Sequence, residues 1–235
     1  DARREAKLSM SISTMHNSFV KCYEYIERDN EIQIQFEYCS KGSLECNSER
    51  RRIDLEPWDP LTFERESAKL IEAMQLLNSV GIIHGNLKPA SLFVTGNDEI
   101  KIGDYGRPVV GFDDRENTVE VKYFPPEFPT SFNSALNLDW WMKADVWYLG
   151  RTLFEAATLR SEMDFNLANQ QDCDKFLAKR LKEFNYSKGF IQMLLRMHRY
   201  SPEERPTFEQ LLADMGGRRR ELSRLEDISS SYEEC

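Results

Sequence analysis

The sequence IIHGNLKPASLFV occupies residues 82–94 and decides how the rest of the chain is interpreted. Its polar loop, with Asn86 and Lys88, leads directly into the short apolar run 92–94. A second short run, 100–102, follows after a Gly-Asn-Asp turn, and two such runs around a turn are typical of a β-hairpin. We therefore predict a polar loop that is held at the start of a hairpin.

Five further motifs lie before and after this loop. They are EYCSKGSL (37–44), KIGDYG (101–106), YFPPE (123–127), ADVWYLGRTLFEAAT (144–158) and SPEERPTF (201–208). In this order and at these separations, the six motifs resemble the signature set of the protein kinases. The resemblance covers about residues 16–215.

The resemblance implies an α+β, protein kinase-like fold with a mainly helical large lobe and an incomplete small lobe. We expect a partial small lobe and hinge over residues 1–40, with one helix and one hairpin. Residues 41–215 would form the large lobe, and residues 216–235 a helical or coil tail. Hydrophobic periodicity agrees with this division, because it predicts a helix over 1–15, a hairpin over 19–38 and mainly helices after residue 60.

Two positions of the catalytic loop depart from the kinase pattern. Kinases use an Asp in this loop to accept the proton of the substrate hydroxyl, and an Asn five residues later to hold magnesium. This chain has Asn86 and Ser91 at those positions, and only Lys88 is kept among the charged residues of the loop. A neutral amide cannot take up a proton at physiological pH. The resemblance therefore implies degenerate catalytic positions at Asn86, Lys88 and Ser91.

The residues around the nucleotide cleft are also altered. Asp104 keeps the metal-binding position, and the resemblance places Phe36, Glu37, Cys39 and Phe93 around the adenine. Two of these five residues are bulky aromatic rings, so we expect a vestigial cleft. We expect no cofactor, with weak binding of ATP and Mg²⁺ at Asp104 as the alternative.

Residues with architectural roles in kinases are retained. Glu127 and Arg205 correspond to a buried ion pair, and Asp145 to the residue of the central helix that receives the backbone of the catalytic loop. His84 and Tyr105 correspond to two positions of a packed column between the lobes. We expect His84 to be a core residue and not an acid-base group.

Loss of catalytic residues beside retention of architectural ones is typical of a pseudokinase. The leading hypothesis is a protein that is not an enzyme and acts as an intracellular scaffold or allosteric partner. Two alternatives remain open, namely a weak or atypical Ser/Thr kinase that uses Lys88 and Asp104, and a switch that binds ATP without turnover.

Composition limits the partners and the location. The formal charge of the 235 residues is −9, which disfavours binding to nucleic acid. Five scattered cysteines and the absence of a long apolar run indicate reduced thiols, no membrane insertion and a cytoplasmic protein. The cluster Arg50-Arg51-Arg52 is expected to be solvated loop charge.

A protein partner is expected at the small lobe. A two-stranded hairpin is marginal in water, and its open edge presents unpaired backbone groups. We expect either residues that precede Asp1 or a strand or helix of a partner to cover this edge, within a larger complex.

Overall fold

Seven α-helices and four short β-strands are found in the described part of the chain, which in this computed structural model comprises residues 2–28, 31–104, 123–127, 138–160 and 169–216. The elements are α1 Ala2–Ser13, β1 Cys22–Arg28, β2 Glu31–Phe36, α2 Leu44–Asp54, α3 Pro60–Ser79, a 3₁₀ turn Pro89–Ser91, β3 Leu92–Val94, β4 Ile100–Ile102, α4 Leu138–Thr158, α5 Gln170–Glu183, α6 Lys188–Met197 and α7 208–216. The predicted α+β fold is confirmed. Tyr105 and most of the predicted tail lie outside the described residues.

The small lobe consists of α1 packed on the antiparallel β1–β2 hairpin. The register pairs Tyr25 with Ile34, so these side chains share a face of the hairpin. An ion pair between Arg3 and Glu27 fastens α1 to β1. The helix and the hairpin that the sequence predicts over 1–38 are thus present, although β2 ends at Phe36.

Backbone hydrogen bonds join this small lobe to the β3–β4 hairpin. The N–H of Ile102 donates to the carbonyl of Ser18 at 2.7 Å, and the N–H of Val20 donates to the carbonyl of Ile102 at 2.8 Å. On the other side of the hairpin, the N–H of Val94 donates to the carbonyl of Gly42 at 2.8 Å. Main-chain bonds therefore connect the β3–β4 hairpin both to the segment that leads into β1 and to the linker, residues 37–43, between β2 and α2.

The central helix of the large lobe is α4, which is buried on almost every side from Ala144 to Thr158. A Cβ atom at Gly150 would lie 2.8 Å from the Cβ of Met197, so glycine is needed for the close approach of α4 to α6. The sequence prediction of a buried central helix is confirmed. None of the helices in the described ranges is long and apolar enough to cross a membrane.

Helix α2 was not predicted, and α5 was covered only by the general expectation of helices after residue 60. Helix α2 is highly charged and buries only Leu44 and Asn47, so it lacks an apolar stripe. Its stability comes in part from Ser43, whose hydroxyl caps the helix by accepting the N–H of Cys46 at 3.2 Å.

The expectation that the arginine cluster 50–52 is solvated loop charge is wrong for Arg51. This residue lies on α2, donates to Asp98 at 2.9 Å and covers the Trp58 ring at 3.9 Å from its centroid. Its side chain is 18% exposed. The cause is a tertiary contact that connects α2 to the turn between β3 and β4.

Candidate active site

Asp145 on the buried helix α4 holds the catalytic loop. One carboxylate oxygen accepts the N–H of His84 at 2.9 Å, and the other accepts the N–H of Gly85 at 2.8 Å. Burial raises the pKa of Asp145 to about 7, although these two backbone donors act in the opposite direction. Asp145 thus has the loop-anchoring position that the resemblance implies.

His84 is a core residue that links the loop to the end of β4. Its ring is 3% exposed, and Nε2 lies 3.1 Å from the carbonyl oxygen of Gly103. Burial lowers the pKa of His84, while the nearby charge of Asp104 raises it to a lesser extent. The ring is therefore neutral near pH 7, and it serves to connect the two parts of the site.

Ser91 is directed back toward the catalytic loop. Its hydroxyl accepts the N–H of Lys88 at 2.9 Å and donates to the carbonyl of the same residue, also at 2.9 Å. The side chain is fully buried. Ser91 therefore fixes the backbone that carries the half-buried Lys88.

Asn86 lies at the position of the missing base. Its N–H donates to Nδ1 of His84 at 3.4 Å. Its side-chain oxygen Oδ1 is buried and has no hydrogen-bond partner within the described residues. A buried acceptor without a partner is uncommon in native proteins.

Asp104 follows β4 and is exposed. Its φ is +58°, a left-handed conformation that is uncommon outside glycine, although Asp adopts it more readily than most residues. This backbone turn places a carboxylate beside the loop residue His84.

A magnesium site in this cleft would depend on Asp104. No group of three His, Cys, Asp or Glu side chains in the described ranges could enclose a metal ion. Magnesium bound to a nucleotide needs only one or two carboxylates besides phosphate oxygens and waters. The exposed Asp104 therefore fits Mg²⁺ that arrives with a nucleotide, and it does not fit a metal held by the protein alone.

The four other cleft residues lie at the end of β2, in the linker and on β3. Phe36 is 40% exposed at the end of β2, and Cys39 is buried in the linker. Phe93 is directed toward Gly103, since a Cβ atom on Gly103 would lie 2.8 Å from the Phe93 ring. The carboxylate of Glu37 is bound to Lys101 at 2.8 Å.

Glu127 and Arg205 form the expected ion pair. Two guanidinium nitrogens of Arg205 donate to the two carboxylate oxygens of Glu127 at 2.8 and 2.9 Å. Arg205 is fully buried and also donates to the carbonyls of Lys143 and Arg199. The pair ties the YFPPE motif to the segment that precedes α7.

A second buried network beside the site was missed by sequence analysis. The hydroxyl of Tyr123 donates to Glu155 at 3.0 Å, and the same carboxylate accepts from Arg151 at 3.3 Å. Both side chains of the Arg151–Glu155 pair are below 5% exposed. The spacing of four residues on a helix was the available signal. Tyr123 and Glu155 also line a cavity of about 230 Å³ that adjoins Pro89 of the catalytic loop.

Comparison with known proteins gives consistent matches. The protein kinase domain model matches residues 1–215. The serine/threonine-protein kinase cds1 of Schizosaccharomyces pombe is 28% identical over 204 residues, which cover 82% of this chain and 43% of the relative. The serine/threonine-protein kinase Nek9 of Mus musculus is 26% identical over 226 residues, covering 89% of this chain and 21% of the relative.

A third relative, the serine/threonine-protein kinase dst2 of Dictyostelium discoideum, is 29% identical over 205 residues, which cover 84% of this chain and 17% of that protein. The chain thus spans less than half of the length of these three relatives.

These comparisons correct one expectation. The hypothesis that the chain is not an enzyme is wrong, because the matched relatives are named serine/threonine-protein kinases. The hypothesis depended on two altered side chains, Asn86 and Ser91, whereas phosphoryl transfer depends mainly on positioning and electrostatics. The motif order, the anchored catalytic loop and the match over residues 1–215 together lead to one conclusion: the chain belongs to the protein kinase domain family.

Proposed function

We propose that this domain is a slow, atypical serine/threonine protein kinase. The observation that carries the proposal is the catalytic loop, which is held in place by two backbone hydrogen bonds to Asp145 and carries the half-buried Lys88. The relatives named above support the same class of activity.

The residues of the loop would orient the reactants. The side chain of Asn86 would rotate to bring Oδ1 into the cleft, where it would accept the hydrogen bond of the substrate hydroxyl and align it, without removing its proton. The ammonium group of Lys88 would stabilise the negative charge of the transferred phosphoryl group. The proton of the hydroxyl would leave to solvent or to the phosphate.

Asp104 would hold Mg²⁺ that is bound to the phosphates of ATP. Bound ATP and Mg²⁺ supply the phosphoryl group and neutralise its charge. His84 fixes the position of Asp104 relative to the catalytic loop, because its ring hydrogen-bonds at 3.1 Å to the carbonyl of Gly103, the residue before Asp104.

The missing base sets the expected rate. General-base participation contributes about 10²–10⁴-fold to such reactions. We therefore expect turnover that is lower by about this factor than in a kinase with Asp at the same position. Substitution Asn86→Asp should restore part of this factor and raise turnover by about 10²-fold.

The experiment measures transfer of labelled phosphate from ATP with Mg²⁺ to casein. Transfer should disappear in Asp104→Asn and Lys88→Met, and it should persist in Asp139→Asn, which changes an exposed Asp on α4. Transfer that survives Asp104→Asn would contradict the proposal. Binding of MgATP without any transfer, even by Asn86→Asp, would identify an ATP-binding switch instead.

We also propose that the domain works with a protein partner. In support, β2 pairs with β1 alone among the described strands, and the nearby aromatic side chains Tyr23 and Tyr38 are 57% and 86% exposed. Such an edge can accept an added strand. Chemical cross-linking in cells, followed by measurement of the mass of the full-length protein, tests this. A monomeric mass at native abundance would contradict it.

A further inference from the structure

Lys101 on β4 and Glu37 in the linker form a buried ion pair that the kinase motifs do not indicate. The ammonium nitrogen lies 2.8 Å from each carboxylate oxygen of Glu37. The side chain of Lys101 is 8% exposed and that of Glu37 20% exposed. The residues are 64 positions apart, so the pair connects two distant parts of the chain.

The backbone at Glu37 is also fixed to the start of β1. The N–H of Glu37 donates to the carbonyl of Lys21 at 2.8 Å, and its carboxylate accepts the N–H of Lys21 at 3.2 Å. The carboxylate of Glu37 therefore contacts both Lys21, just before β1, and Lys101 on β4. This arrangement holds the beginning of the linker against both lobes.

The other end of the linker is attached to β3. The N–H of Lys41 donates to the carbonyl of Val94 at 3.1 Å, and the N–H of Val94 donates to the carbonyl of Gly42 at 2.8 Å. The linker is thus bound to β4 by a side-chain ion pair at one end, and to β3 by backbone hydrogen bonds at the other.

The ion pair lies on the face of β3 and β4 that is directed toward the cleft. Lys101 is the register partner of Phe93, and directly opposed residues in an antiparallel pair project from the same face. Phe93 occupies the position that the resemblance places under the adenine.

We propose that Glu37 and Lys101 are positioning residues for the nucleotide, because their ion pair fixes the distance between the linker and the floor of the cleft. This inference rests on the proposed kinase function. Neither residue needs to contact the nucleotide, since both act through the linker and Phe93. Loss of the pair would let the linker move away from β4 and weaken binding.

The test compares Lys101→Met, Glu37→Gln and the double variant with the unaltered full chain. Titration calorimetry with MgATP measures the dissociation constant. Each single change should raise it by about tenfold, and the double change should be no worse than either single change. The control is Arg180→Met, which removes a 2.7 Å ion pair with Glu183 within α5, a helix that packs on α4 and α6, and it should leave affinity unchanged.

Three results would overturn the proposal: unchanged affinity in both single variants, additive effects in the double variant, or an equal loss in Arg180→Met. Amide hydrogen exchange gives a second measurement that does not need nucleotide. The amides of Glu37 and Val94 should exchange faster in Lys101→Met than in Arg180→Met. If the unaltered chain binds no MgATP, the proposed function fails, whereas exchange alone decides the role of the pair.

Discussion

Replacement of Arg205 by alanine should destabilise the domain far more than replacement of Lys88 in its catalytic loop. Arg205→Ala removes both bonds to Glu127, at 2.8 and 2.9 Å, and the donors that satisfy the carbonyls of Lys143 and Arg199. The remaining carboxylate of Glu127 is only 15% exposed, so its charge stays without a partner. Breaking a buried pair in this way costs about 3–5 kcal/mol.

Urea unfolding and thermal melting measure this loss. One kcal/mol shifts the melting temperature by about 2–4 °C in a domain of this size, so the expected decrease is about 6–20 °C. The control is Arg196→Ala, which removes an exposed ion pair with Asp214 and should cost less than about 1 kcal/mol. The catalytic-loop variant Lys88→Ala should also stay below about 1 kcal/mol. Equal shifts for Arg205→Ala and Lys88→Ala would refute the separation of architectural from catalytic residues.

Three further predictions concern stability. Burial lowers the pKa of His198 to about 3, while an unfolded histidine titrates near 6.5, so the unfolded state binds more protons between these values and stability falls as the pH falls. From pH 6.5 to 5 the loss is about 2 kcal/mol, and His198→Gln should remove it from the pH profile of urea unfolding. Tyr123→Phe deletes the 3.0 Å bond to the buried Glu155 and should cost about 1–2 kcal/mol by urea unfolding, whereas an unchanged midpoint would contradict this. Asp59→Ala removes the cap that accepts the N–H of Thr62 at 2.8 Å, and thermal melting should show a loss of about 1 kcal/mol.

The sequence could predict features that depend on local pattern or on motif position. The β3–β4 hairpin follows from two short apolar runs around a turn, and α3 begins after Asp59-Pro60, a cap and an N-terminal proline. Asp145 and the pair Glu127–Arg205 were placed by the order of the motifs. Each of these features is encoded within a few residues or within a motif of fixed spacing, so one chain is enough to find it.

The catalytic assignment was less secure, because it inferred loss of activity from residue identity alone. Asn86 and Ser91 have the residue types expected for a degenerate loop, but their surroundings matter as well. In the folded chain Ser91 binds the backbone of Lys88, and Oδ1 of Asn86 is buried without a hydrogen-bond partner among the described residues. Only the packing around these side chains reveals what each can still do.

Contacts between distant residues were decided by the tertiary structure. Glu37 and Lys101 meet across 64 residues, and Arg51 meets Asp98 across 47. Charged side chains are usually solvated, so each of them alone predicts exposure. The fold brings opposite charges together where α2 and the linker pack on the β3–β4 hairpin. No local periodicity encodes that meeting, because its free energy arises only when both partners lose water in the same place.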